Sequence, residues 1–378
     1  PLGASYTYEY TPSGKLAKFV DKKGNPIQVN YDLNNRVVEI KDPLGNNGKL
    51  AYNNRSVELT DSLGRVSRLT FDNNNLLIDF TNAKGYREIY GNDGNYNVVT
   101  ATPDLPENEY YYYKYSNTYD PNDNLLVAKD PMDNTTTNEY SGHDLIKTTD
   151  PKGNIYAKTY STDGRRLLLA QTDANGNIDS NTYDANGRVI TNTDSKGAIT
   201  KYTYLADGDL ATLVTPKNES TTFTYDAIGR KITEKSALGT VITYAYDQLG
   251  RLTSLTDAGG LANRYEYDAS SNKTKEIDPK GNVKQFEYDA LNRQTKVIDE
   301  IGAITAYQYD AAGNVTKTID AKGKETSTEY DLLDQVVKQT DATGTISTLE
   351  YDRNGNIVKA TDPLGNIATR LTDKNGQS

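Results

Sequence analysis

A tyrosine–aspartate pair returns every 21 residues through the second half of the chain, at Tyr225-Asp226, Tyr246-Asp247, Tyr267-Asp268, Tyr288-Asp289, Tyr309-Asp310, Tyr330-Asp331 and Tyr351-Asp352. A fixed short period dictates architecture before any single residue can be interpreted, because a unit of this size cannot bury a core alone. Half a unit later stands a second signal, Asp-x-x-Gly. It occurs at Asp257/Gly260, Asp278/Gly281, Asp299/Gly302, Asp320/Gly323, Asp341/Gly344 and Asp362/Gly365, with Ser236/Gly239 as a variant. The first signal also closes on glycine, at Gly229, Gly250, Gly313 and Gly355, and elsewhere on Ser271, Asn292 or Asp334. Aspartate bonds its own backbone two residues on, and glycine or asparagine tolerates positive φ at the close of a turn. Both signals predict short hairpins built on a type I turn with a G1-type bulge.

The runs between turns are six or seven residues long and rich in Thr, Val, Ile and Tyr, which suits strands and is too short for helices. Every connection being a hairpin, successive units extend one antiparallel sheet, and the fold class is all-β. Tyr244 and Tyr246, Tyr265 and Tyr267, Phe286 and Tyr288, and Tyr307 and Tyr309 are two apart and share a face. That spacing predicts an aromatic ladder on a sheltered face. Glu266, Glu287, Glu329 and Glu350 fall on the other face, with Lys275, Lys296, Lys338 and Lys359 expected diagonally across the first turn.

Upstream the same signals continue with lapses: Tyr10, Tyr31, Tyr52, Phe71-Asp72, Tyr90, Tyr119-Asp120, Tyr140, Tyr160, Tyr183-Asp184 and Tyr204. About 17 units thus span residues 1–378 as a single array. An insertion near 91–118, carrying Tyr110 to Tyr113, is expected at a hairpin tip. Residues 1–3 look like a protease-site scar left by expression. Thr372-Asp373 stands where the next repeat would open, so the array is expected to run on. Only 35% of residues are hydrophobic and mean hydropathy is −0.75, composition better suited to a thin curved sheet than to a thick layered domain. The net charge of −10, with lysines alternating among acids, speaks against nucleic acid as a partner. There is no apolar run long enough for a membrane-spanning helix, and no cysteine.

Tyr-Asp-x-x-Gly-Arg/Asn, followed by Asp-Pro-x-Gly-Asn at 42–46, 150–154, 278–282 and 362–366, resembles the Rhs/YD-repeat family. That family includes bacterial Rhs toxins, wall-associated polymorphic toxins, insecticidal Tc-toxin subunits and animal teneurins. The resemblance covers essentially the whole chain and implies a continuous sheet that spirals into a partial hollow shell or barrel. In the toxins of the family the shell encloses a C-terminal toxic polypeptide. The family's autoproteolysis segment and toxin domain have no counterpart here. With strands about 4.8 Å apart, about 17 hairpins make a wall roughly 160 Å long, enough for about one turn around a lumen.

Catalytic chemistry is scarce. His143 is the only histidine, so neither a Ser-His-Asp nor a Cys-His arrangement can be assembled. Nearly every aspartate occupies a turn position with a backbone role, which weakens a metal or carboxylate-pair reading. The expectation is a secreted or cell-surface structural segment that is not an enzyme, with no cofactor and no metal. Its expected partners are a toxin polypeptide or other parts of the same full-length protein. The alternative is a module whose tyrosines bind a cell-wall or surface glycan or a receptor. The residues singled out, from Tyr225 to Gly355, are a structural repeat motif.

Overall fold

A computed structural model describes residues 5–103, 115–130, 132–352 and 355–369. Tyr110 to Tyr113, residues 1–3 and Thr372-Asp373 lie outside the described residues. Thirty-five strands are assigned to one antiparallel sheet, from β1 (Thr7–Tyr10) to β35 (Ile367–Thr369). Every regular element among the described residues is a strand. Two compact units emerge from the contacts. The first takes residues 1–114 and 266–378, and the second takes residues 115–265.

One hairpin pair in the second unit illustrates the local logic. The strands β21 (Ser220–Tyr225) and β23 (Val241–Tyr246), which flank β22 (Lys231–Lys235), alternate exposed and sheltered positions in their later residues, so Tyr244 and Tyr246 turn to one face and Thr243 and Ala245 to the other. At the first turn Asp226 N–H donates to Arg230 O at 2.9 Å and Gly229 N–H donates to Asp226 O at 3.0 Å. The Asp226 carboxylate closes the loop: Oδ1 accepts from the N–H of Ile228 and of Arg230, and Oδ2 accepts from Arg230 Nε at 2.6 Å. Glycine at the fourth position has φ of 79°. Some second turns, such as those opened by Asp278 and Asp362, repeat the same cassette with asparagine in the fifth place. Asp278 takes the N–H groups of Lys280 and Asn282 and the Asn282 amide at 2.8, 2.8 and 2.7 Å. Two turn signals half a unit apart thus produce a single turn structure.

The bulge resets the register, and here the structure departs from expectation. Between Glu287 and Tyr288 the pairing slips by one, so Glu287 lies directly opposite Lys296. Glu329 faces Lys338 and Glu350 faces Lys359 in the same way, correcting the diagonal placement. The ammonium groups sit 2.6 to 2.9 Å from the carboxylates on the exposed face. The aromatic ladder is also different in kind. Where the intervening strand opens on lysine, a cation lies against the rings: Lys231 stands 5.6 Å from the Phe223 centroid and 4.7 Å from that of Tyr244, and Lys273 stands 5.3 Å from that of Phe286. Strands two apart are separated by nearly 10 Å, too far for rings to stack without a filler.

Neither unit has a core in the usual sense. No hydrophobic side chain among the described residues is fully buried, and the buried side chains are polar: Asp79, Thr102 and Asn124. Cohesion therefore comes from backbone ladders, the turn cassettes and one half-sheltered face.

At Gly302, φ is 83° and a Cβ would meet no atom within 4 Å, so any cost of substitution is backbone strain alone. Gly302→Val is expected to destabilise the array by ~1–3 kcal/mol. Gly302→Asn is expected to be nearly neutral, since Asn292 already holds φ of 62° in an equivalent position. Denaturant unfolding of the two variants against the parent measures the difference.

Candidate functional site: the tyrosine face and its turn edges

The motif tyrosines hold the hairpins to one another. The ladder between β22 and β23 covers only Thr233 to Lys235 against Val241 to Thr243, which leaves the Lys231 carbonyl outside it. Tyr246, arriving from the far end of β23, donates its phenol O–H to that carbonyl at 2.9 Å. The same bond recurs to the carbonyl 15 residues earlier from Tyr225, Tyr288, Tyr309, Tyr330 and Tyr351 at 2.6 to 3.0 Å, and from Tyr31, Tyr183 and Tyr204 upstream. Partial burial pushes the phenols of Tyr288, Tyr309 and Tyr330 upward. Tyr267 occupies the same strand-end position.

Phe71 is a natural control. Its own strand, β7 (Val66–Phe71), and the preceding β6 (Ser56–Thr60) pair continuously from Ser56↔Thr70 to Thr60↔Val66. No carbonyl is stranded there, and a ring without hydroxyl suffices.

The arginine that ends many cassettes does three things at once. Arg293 binds the Asp289 carboxylate at 2.7 Å, lies 4.6 Å from the Tyr309 ring centroid, and donates to the Asp310 carbonyl of the next unit at 3.0 Å. Arg230 repeats this with Asp226, Tyr246 and Asp247. The sequence signal was the Arg after Gly, but only the geometry reveals that it ties one turn to the next. Asp247, Asp268, Asp289, Asp310, Asp331 and Asp352 open turns as Asp226 does, and Gly250, Gly313, Gly323, Gly344 and Gly355 all carry positive φ.

The first unit has a feature that sequence reasoning missed. Turns of its N-terminal stretch meet turns of its C-terminal stretch, across separations of 245 to 269 residues. Lys23 Nζ lies 2.6 Å from the Asp268 carboxylate, Ser62 Oγ donates to the Ala311 carbonyl at 2.8 Å, and Arg65 reaches Asp334 at 2.7 Å. Lys84 bonds Asp331 and Gln335. These are second turns of one stretch against Tyr-Asp turns of the other, matched in order. Arg65 holds the Asp334 carboxyl below the usual carboxylate range. Beneath the seam lies a cavity of about 720 Å³ lined by Ile40, Leu59, Phe80, Leu332 and Leu333. No sequence signal distinguishes the lysines that dock from those that do not.

His143 sits in a turn network, its Nδ1 3.2 Å from the Asn124 amide oxygen, while Asn124 donates to the Gly142 carbonyl at 2.7 Å. Among the described residues no cluster of three or more His, Asp or Glu side chains is arranged to hold a metal.

The family model for the RHS repeat matches residues 226–262, 246–283, 288–325 and 330–367. No curated protein matches the chain by sequence. Among solved structures, TcdB2-TccC3-TEV aligns with a TM-score of 0.81 at 16% identity, over 99% of this chain and 24% of that one. TcdB2-TccC3-Cdc42 aligns at 0.79 and 16%, over 96% and 24%. The Photorhabdus luminescens Tc holotoxin pore aligns at 0.80 and 15%, over 97% and 24%. The likeness is one of fold, and the chain spans about a quarter of the length of these structures.

Two outcomes are expected from this geometry. Tyr309→Phe strands the Gln294 carbonyl and should cost ~0.5–1.5 kcal/mol, whereas Phe71→Tyr should gain nothing; chemical denaturation of both variants separates the cases. Turn carboxylates set the acid limit. The Arg230 N–H, against an opposing effect of desolvation, holds Asp226 below its ordinary value, and the Asn282 amide does so for Asp278. Because the folded-state values are depressed, the unfolded chain takes up protons first. Stability is therefore full above about pH 4 and falls as pH drops through the lowered values. Unfolding midpoints measured from neutral pH down to about pH 2 should fall only below that threshold.

Proposed function

Because the chain is an RHS-repeat protein, we propose that it is a structural shell segment of a secreted or cell-surface toxin, one that sequesters a C-terminal toxin polypeptide and catalyses nothing itself. The observation that carries this reading is a sheet of 35 strands with no fully buried hydrophobic side chain among the described residues. A wall with a half-sheltered face and no second layer of its own is suited to surround something else. The motif tyrosines, aspartates and glycines act as architecture, with the phenols and carboxylates committed to backbone groups. The repeats act together as one array, and the segment's partners are the toxin polypeptide or other parts of the same full-length protein. A wall-associated Gram-positive protein is the setting its Asn- and Lys-rich composition favours. With a net charge of −10, nucleic acid is not among the partners.

A second reading, binding of a surface glycan, is favoured by one observation. The second unit holds a groove of about 300 Å³ where Tyr156 stands beside Lys158, Gln171, Asn177 and Asp179, an aromatic platform with convergent polar groups.

Small-angle scattering separates the shell from a simple solenoid. A ring- or trough-shaped envelope with low interior density is the expected result, and a straight solid rod would end the proposal. For the glycan reading, titration with soluble cell-wall oligosaccharides should perturb Tyr156 fluorescence or amide signals of the groove if it holds.

A further inference from the structure

In a meander of hairpins the two kinds of turn lie on opposite edges of the sheet. In the first unit the seam uses one edge of each stretch: second turns of the N-terminal stretch and Tyr-Asp turns of the C-terminal stretch. Each stretch therefore keeps a further edge of the opposite kind. The C-terminal stretch presents second turns with Lys280 and Lys322, both exposed. The N-terminal stretch presents Tyr-Asp-type turns opened by Asp32 and Asp72. The two lysines stand two repeats apart, and so do the two aspartates.

These edges carry the same chemistry as the seam. Lys23, which docks on Asp268, has the place in its turn that Lys280 and Lys322 have in theirs. Asp268 accepts Lys23 while keeping its bond to the Asn272 amide, so the internal bond of Asp32 to Arg36 is no bar to an external cation. Aliphatic turn tips add a second signal. In the seam, Leu63 and Leu332 are 45% and 48% exposed. On the other edges Ile301 and Leu364 are 89% and 88% exposed, and Leu33, beside Asp32, is fully exposed. Large aliphatic tips aimed into water next to charged turn residues mark a contact surface.

We propose that these two turn edges form a head-to-tail docking surface for a second copy of this chain. Lys280 and Lys322 of one copy engage the Asp32 and Asp72 turns of the other, with Ile301 and Leu33 covered at the contact. The contact is heterologous, so it leaves one edge of each kind open at the ends and can extend.

Sedimentation velocity on the intact chain tests it. At low salt the sedimentation coefficient should rise with protein concentration, and about 0.5 M salt should abolish the rise by screening. Lys280→Glu/Lys322→Glu damages one edge and Leu33→Arg the other, so each variant alone should remain monomeric. Mixed, they should form a one-to-one dimer and nothing larger, since each supplies the edge that the other lacks. Circular dichroism and melting of the variants, at exposed sites, should match the parent. A parent that stays monomeric at low salt, a variant that associates like the parent, or a mixture that forms no dimer overturns the proposal. None of these outcomes bears on the shell reading, which scattering tests on the monomer at high salt.

Discussion

The carboxylate of the turn aspartate is the interaction on which the rest of this protein depends. A sheet made wholly of short hairpins has nearly as many turns as strands, and each turn leaves backbone N–H groups that no ladder can satisfy. One carboxylate gathers two of them and, in many turns, a side chain from the fifth residue as well, as Asp226 and Asp278 do. Because these bonds go to the charged form of the acid, they are stronger than neutral ones and also set a lower pH limit for the array. The residue with positive φ that follows then fixes the bulge, and the bulge fixes which side chains face each other.

From that single turn the packing follows in steps. The bulge puts glutamate opposite lysine on the exposed face and shortens the next ladder, stranding a carbonyl. The motif tyrosine reaches that carbonyl from the neighbouring hairpin, and the arginine of the cassette covers the ring and holds the next turn. Units are joined by a phenol and a guanidinium in place of a hydrophobic core. That is why so polar a chain can be ordered without one fully buried apolar side chain among the described residues. It also accounts for Phe71, where an unbroken ladder removes the need for the hydroxyl.

Polar cohesion of this kind suits a wall. A sheet that does not depend on a second layer can leave a face open for other occupants, and its edges can be used for contact. In the first unit the edges do this through lysine, arginine and aspartate at the turn tips, over a cavity lined by aliphatic side chains. Turn residues here act first within a hairpin and then between distant stretches of chain.

Strand positions, turn type, the sharing of a face by Tyr244 and Tyr246 and the absence of helices among the described residues were all legible in the sequence, because each is set by residues within one period of 21. Local rules reach that far: alternation, aspartate capping and tolerance of positive φ act over a few residues. Three things were out of reach. The exact opposition of Glu287 and Lys296 depends on where the bulge absorbs its extra residue. The phenol-to-carbonyl bond depends on which ladder bonds fail, a property of two strands together. The docking of Lys23 on Asp268 and of Arg65 on Asp334 depends on small twists summed over many strands, and a repeating sequence offers the same lysine and the same aspartate at too many places to choose between them.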